Sequence, residues 1–179
     1  MYIPSGSELL NPHFLLEKSG IREGWKVADF GAGSAGHFIF PVARMVGESG
    51  LAYAVDILKS ALAGIESREK LEGVKNVKRV WADLDIPGAT KIKDDSLNLV
   101  LLINNRVHES MIREAVRVLK VNGRLLVVDW KIISTPFGPP GAERVSVGQA
   151  KERAKKYGLQ VVEEFEAGKY HWGLLLEKR

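Results

Sequence analysis

Val27-Ala28-Asp29-Phe30-Gly31-Ala32-Gly33-Ser34-Ala35-Gly36 decides how this chain folds. An apolar run ends in an acid, a glycine-rich turn follows, and a helical pattern begins at His37. A strand–turn–helix unit of this kind gathers backbone N–H groups at a helix N-terminus, where a polar ligand can approach closely. Gly31-x-Gly33-x-x-Gly36 is the dinucleotide-binding spelling. That spelling has an apolar, core-facing residue where Asp29 stands, and a carboxylate buried there is costly unless it is paired.

The rest of the chain reads as alternating elements. Asn11-Pro12 is a cap followed by a first-turn proline, which predicts a helix to Ser19. Gly20 and Gly24 bracket the turn into a strand at Lys26–Phe30. Phe38, Val42, Met45 and Val46 keep helical spacing, and Pro41 is tolerated only in a first turn. That helix therefore starts close to Phe38 and ends at Gly47. A strand at Leu51–Asp56, a helix from Lys59 to Leu71 closed by Gly73, and a strand at Val77–Ala82 ending at Asp83 come next. Leu97–Ile103 is almost wholly apolar, the mark of a central strand in a parallel sheet. Glu109 to Lys120 reads as a helix, with Asn122-Gly123 ending it and opening a strand at Arg124–Trp130. After a proline- and glycine-rich segment, Ser134 to Gly141, Val147 to Tyr157 reads as a helix stopped by Gly158. Leu159–Glu166 and Tyr170–Lys178 are joined by Ala167-Gly168-Lys169, too short for a helix, so they pair antiparallel. The expected pattern is five βα units and a terminal hairpin.

Composition sets outer limits. A length of 179 residues suits one domain with a real core, and 45% apolar with 27% charged residues is ordinary for a globular protein. The absence of Cys removes disulfides, thiolate metal sites and a cysteine nucleophile together, and fits a reducing compartment. Met1-Tyr2-Ile3-Pro4-Ser5-Gly6 has no basic leader, and no apolar run reaches the ~18 residues of a membrane span. The expectation is a cytoplasmic protein. A net charge of +4 permits nucleic acid or acidic ligands without demanding them.

Asp29-x-Gly31-x-Gly33 resembles the first motif of the class I S-adenosylmethionine-dependent methyltransferases. Ala82-Asp83-Leu84, the fourth-strand run Leu97 to Asn105, and the block from Arg117 to Asp129 are similar to later motifs of that family, in order and spacing over about 150 residues. The terminal hairpin resembles the family's sixth and seventh strands. Within the family the chain looks most like the small-molecule branch that includes ubiquinone/menaquinone-type C-methyltransferases. The resemblance implies an α/β, Rossmann-like three-layer sandwich with a mostly parallel seven-stranded sheet and an antiparallel C-terminal hairpin. It implies a single domain, with residues 1–24 as an N-terminal helical flap carrying Tyr2, Phe14 and Leu15, and residues 25–179 as the core. One departure stands out: the family's third glycine position is Ala35, and glycine comes one residue later at Gly36.

The same resemblance implies S-adenosylmethionine as cofactor, with no metal. Asp29, Gly31 and Gly33 would meet its amino-acid end, Asp56 its ribose hydroxyls and Ile57 the adenine face. Asp83 and Leu84 would meet the adenine edge, and Asn104 the region beside the transfer site. Asn105 and His108 are weak candidates for orienting an acceptor or taking its proton. His13, Trp130, Tyr170, His171 and Trp172 are candidate pocket residues, and Phe137 a candidate wall beside the acceptor. The partner would be a small-molecule acceptor. Three other readings stay open: an RNA or protein methyltransferase, which the basic charge motivates, a cofactor-binding module without activity of its own, and a nicotinamide-dinucleotide enzyme, which the glycine spelling allows. Lys151-Glu152-Arg153-Ala154-Lys155-Lys156 lacks interleaved aromatics and reads as a solvated helix face rather than a nucleic-acid patch.

Overall fold

Apolar runs at the expected places pair into one sheet in the computed structural model, which describes residues 9–179. The strands are β1 (Lys26–Phe30), β2 (Leu51–Asp56), β3 (Val77–Trp81), β4 (Leu97–Ile103), β5 (Leu119–Trp130), β6 (Leu159–Gly168) and β7 (His171–Lys178). Their spatial order is β3-β2-β1-β4-β5-β7-β6. β1 to β5 are parallel, and β7 inserts antiparallel between β5 and β6. The helices are α1 (Pro12–Ser19), α2 (Ile39–Val46), α3 (Lys59–Glu72), α4 (Glu109–Val118) and α5 (Val147–Lys156).

Strand alternation splits the core into two layers. Ala28, Phe30, Val100, Leu102, Leu125 and Val127 pack against Ile112, Ala115 and Val118 of α4 and Ala150 and Ala154 of α5. Val27, Leu99, Leu101, Leu126 and Val128 pack on the other face, against Leu15 and Leu16 of α1, Ile39, Phe40 and Val42 of α2, and Leu62 and Ile65 of α3. The helices cover both faces, as a parallel sheet requires. Asn11 caps α1 by accepting the Phe14 N–H at 3.2 Å, and Gly20 closes it in the left-handed conformation. Phe14 meets Phe165 edge-on. Of the expected flap, Tyr2 and the rest of residues 1–8 lie outside the described residues.

Two expectations need correction. The helix read as Glu109 to Lys120 ends at Val118, and β5 starts at Leu119 rather than Arg124. Leu97 pairs with Leu119 and Leu99 already with Arg124, so Asn122-Gly123 forms a bulge inside β5 instead of separating helix from strand. The left-handed residue the dipeptide promised is present, Asn122 at φ +62°. The pattern of five βα units also fails at β3, whose connection to β4 contains no helix. Side chains tie that connection down instead. Glu114 of α4, almost fully buried, accepts two bonds from Arg117 and the Gly88 N–H, while Arg117 also reaches the Ile92 carbonyl, Thr90 and Asp94. No helix among the described residues is long and apolar enough to cross a membrane.

Candidate active site

The chain builds outward from β1 to β3, then crosses back to lay β4 on β1's other side. Ligands of open parallel sheets bind beyond the C-terminal strand ends at such a reversal. A cavity of about 180 Å³ lies there, lined by Leu10, Asp29, Gly31, His37, Ile103 and Asn104 among others.

Asp29 is 3% exposed. Burial, and then the charge of Asp56, push its carboxyl up to about 7. No described N–H or O–H group donates to it, yet it borders the cavity. A carboxyl so placed is matched to a cationic ligand group that replaces the water it has lost.

The glycine turn is tied to β2. The N–H groups of Gly31 and Ala32 both donate to the Val55 carbonyl, at 2.8 and 3.1 Å. Asp56 then accepts the Gly33 N–H at 3.0 Å on one oxygen and the Leu58 N–H at 2.9 Å on the other. One carboxylate thus joins the turn to the start of α3, and each oxygen keeps a further lone pair for a ligand. Gly33, at φ +65°, would have open space around an added Cβ, so its backbone is bare toward the surroundings. Gly36, at φ +58°, packs under the Phe40 ring, which a Cβ would meet at 2.5 Å. The glycine displaced by one position therefore serves the turn into α2, and the Ala35 carbonyl accepts a bond from Arg68.

Gly31 meets both demands on a glycine at once. Its φ is +78°, and an added Cβ would lie 2.6 Å from Asn105 Oδ1. Left-handed strain alone costs an L-residue roughly 1–2 kcal/mol. Displacing Asn105 adds to it, because its amide donates to the Phe30 carbonyl at 2.5 Å and the Ile103 carbonyl at 3.1 Å. Gly31→Ala is expected to destabilise by about 2–3 kcal/mol, seen as a fall of roughly 4–10 °C in Tm by calorimetry.

Those two bonds change the reading of Asn105. Both its amide hydrogens are spent joining the ends of β1 and β4. Asn104 lines the cavity at φ +58° while its N–H holds the Val128 carbonyl at 2.8 Å. Arg106 and Val107 follow at φ +55° and +46°, and Arg153 clamps the Val107 carbonyl at 2.8 Å. Three left-handed non-glycine residues in four, one of them β-branched, make a strained loop of the kind that concentrates at functional sites.

The other candidates spread along the strand tips. Ile57 is 53% exposed beyond β2. Its carbonyl accepts the Trp81 indole N–H at 2.8 Å, and the Lys59 ammonium sits over the Trp81 ring. Asp83 accepts the Asp85 N–H at 2.9 Å, and Leu84 is buried. His108 does not join this group: it precedes α4 in a separate cleft with Arg106, Glu143 and Arg153. His13 is exposed on α1. Sequence reasoning missed Trp81, Leu10 and His37, whose parts depend on packing that no local pattern records. Among the described residues no group of three or more His, Asp or Glu side chains could hold a metal ion.

Comparison with known proteins bears on this geometry. A family described as "Methyltransferase domain" matches residues 21–143. The chain is 36% identical over 132 residues to the ubiquinone/menaquinone biosynthesis C-methyltransferase UbiE of Cronobacter sakazakii, covering 70% of this chain and 50% of that protein. It is 36% identical over 122 residues to the UbiE protein of Pasteurella multocida, covering 65% of this chain and 44% of that protein. The chain thus spans about half the length of these curated relatives. Its fold superposes on a crystal structure of a SAM-dependent methyltransferase from Aquifex aeolicus with a TM-score of 0.87 and 27% identity, covering 97% of this chain and 93% of that one.

Proposed function

Because this chain belongs to the class I S-adenosylmethionine-dependent methyltransferases, we propose that its switch-point crevice serves methyl transfer to a small-molecule acceptor. The carrying observation is Asp29, a buried carboxyl with no described donor, opening on a cavity beside a glycine turn.

S-adenosylmethionine supplies a methyl group already activated on a sulfonium. The residues of this chain hold and align. Asp29 pairs with the ammonium of the amino-acid end, while Gly31 and Gly33 let the turn approach it. Asp56 keeps its hold on Gly33 and Leu58 and accepts the ribose hydroxyls on its remaining lone pairs. Ile57, braced by Trp81, covers one adenine face, with Asp83 and Leu84 at the adenine edge. Asn104 and Ile103 border the point of transfer. Alignment of this kind lowers a barrier by roughly 7–11 kcal/mol at best, so the reaction demands no further acid or base unless the acceptor must lose a proton.

A small acceptor fits better than a macromolecule. On the basic run of α5, Lys151 pairs with Glu164 and Lys156 with Glu109, while Arg153 donates to the Val107 carbonyl and Lys155 is exposed. The two ion pairs reduce the positive charge this face offers to a phosphate backbone. The relatives' names, which place them in quinone biosynthesis, support a ring acceptor methylated at carbon. Methyl-labelled S-adenosylmethionine added with the protein to a cell extract tests this. Label is expected in the solvent-extractable small-molecule fraction. Label confined to precipitated RNA or protein would overturn the reading.

A further inference from the structure

The glycine turn leaves the Asp29 cavity and returns to it. Gly31 and Ala32 line the cavity before the turn, and His37 and Phe38 line it after. Between them Ser34 and Ala35 are exposed and meet α3 instead. Ordering exposed backbone costs conformational entropy, so a turn that must hold one shape for a ligand needs support from outside.

Two residues of α3, one helical turn apart on the same face, supply it. Gly64 lets the helix come so close that an added Cβ would lie 2.8 Å from the Ser34 carbonyl oxygen. Arg68 donates from a terminal nitrogen to the Ala35 carbonyl at 2.6 Å. Its guanidinium also stacks 4.3 Å from the centre of the Phe40 ring, the ring against which Gly36 packs. Ala35 stands where the family has its third glycine. It keeps a negative φ, so alanine fits without strain and leaves its carbonyl to Arg68.

Arg68 is itself held in place. Its Nε donates to one oxygen of Glu72 at 2.5 Å, and the other oxygen accepts from Arg44 of α2 at 2.8 Å. The Arg68 bond holds the Glu72 carboxyl below its ordinary value, so the pair stays ionised at neutral pH. A planar guanidinium presents several donors at fixed angles, which lets one side chain join α2, α3 and the turn between β1 and α2. Neither Arg68 nor Glu72 lines the cavity, so Arg68 acts on a ligand there only through the turn.

We propose that Arg68 is a positioning residue for the methyl donor: by fixing the Ala35 carbonyl it holds the glycine turn in the shape that receives the amino-acid end of S-adenosylmethionine. The role rests on the methyltransferase reading above, since without that donor the turn has no amino-acid end to receive. It also has a direction. The grip is on the turn, so it bears on the amino-acid end and not on the adenosine end, which belongs to the tips of β2 and β3.

The full chain and its Arg68→Met variant are titrated by calorimetry with S-adenosylhomocysteine and with 5′-methylthioadenosine, which lacks the amino-acid end. Methionine keeps an apolar stem against Phe40 but cannot donate. The variant is expected to lose about tenfold or more in affinity for S-adenosylhomocysteine and to bind 5′-methylthioadenosine within about twofold of the wild type. Arg68→Lys, with a point charge in place of the fork, should recover part of the loss. Amide hydrogen exchange in the unliganded Arg68→Met protein should quicken at residues 33–37 and stay at the wild-type rate in the central strands. Equal losses for the two ligands, an unchanged affinity for S-adenosylhomocysteine, or unchanged exchange at residues 33–37 would overturn the positioning role and leave the methyltransferase reading standing. Failure of the wild type to bind S-adenosylhomocysteine would overturn both. Should Arg68→Met fail to fold, Arg68→Lys decides by the same comparison, with a smaller loss confined to S-adenosylhomocysteine as the expected result.

Discussion

Asp29→Asn is expected to weaken S-adenosylhomocysteine binding between about 30-fold and several thousand-fold, while making the unliganded protein more stable above pH 7. Both effects have one source. Removing one partner of a buried charge pair costs about 2–5 kcal/mol of binding. In the unliganded protein the same carboxylate has no described donor, and its charged form is disfavoured, with the carboxyl pushed from 3.8 to about 7. The folded state therefore holds this proton more tightly than the unfolded chain. Stability falls as pH rises from about 4 to about 7 and stays low above that, by an order-of-magnitude 4 kcal/mol. Asparagine cannot ionise, so it removes that loss but leaves a buried amide to satisfy, at about 1–3 kcal/mol. A net gain of roughly 1–3 kcal/mol should appear as a higher Tm at pH 8 and turn into a loss of about 1–3 kcal/mol near pH 4, where the wild-type carboxyl is neutral. A substitution that stabilises the protein and disables its site is the signature of a group placed for binding rather than folding.

Arg117→Ala should unfold the protein at far milder denaturant, with a loss of about 3–5 kcal/mol. Glu114 is 2% exposed, and Arg117 supplies its bidentate cation. Burial raises the Glu114 carboxyl, but bonds from Arg117, Thr90 and Gly88 outweigh it, and the net shift is downward. Its contribution is thus complete near neutral pH and is lost as the medium is acidified below the ordinary glutamate range near 4.5. Without Arg117 an uncompensated carboxylate stays buried and the β3–β4 connection loses its anchor. Urea unfolding followed by circular dichroism measures the effect, and Arg117→Lys should recover only part of it because lysine cannot make the bidentate pair.

How much of this was legible in the sequence depends on how local each signal is. β1, β2 and β4 begin and end where the apolar runs do, because parallel strands buried on both faces leave little room for polar residues. Asp29 stood out for the same reason, as a charge inside such a run. Asn122-Gly123 was read correctly as a left-handed step and wrongly as a boundary, since only pairing with β4 shows that the strand continues through it. The β3–β4 connection has no periodicity to read, and what orders it is a carboxylate and a guanidinium brought together from α4. Asn105 looked free to meet a substrate, but the carbonyls of Phe30 and Ile103 that occupy it come together only when β1 and β4 pair. His171 was one aromatic-segment residue among several, and its full burial, with neither ring nitrogen partnered, is a property of packing alone.

On the reading proposed above, Asp29 receives the ammonium end of an adenosyl amino acid. Calorimetric titration with S-adenosylhomocysteine at pH 6, repeated in buffers of different ionisation heat, tests it most directly. A carboxyl near 7 is mostly protonated at that pH and must ionise to meet the amine. Binding by the wild type is expected to release close to one proton, with affinity falling about tenfold per pH unit below 7, and Asp29→Asn is expected to release none. Tight binding with no proton release, or with the same release in Asp29→Asn, would contradict it.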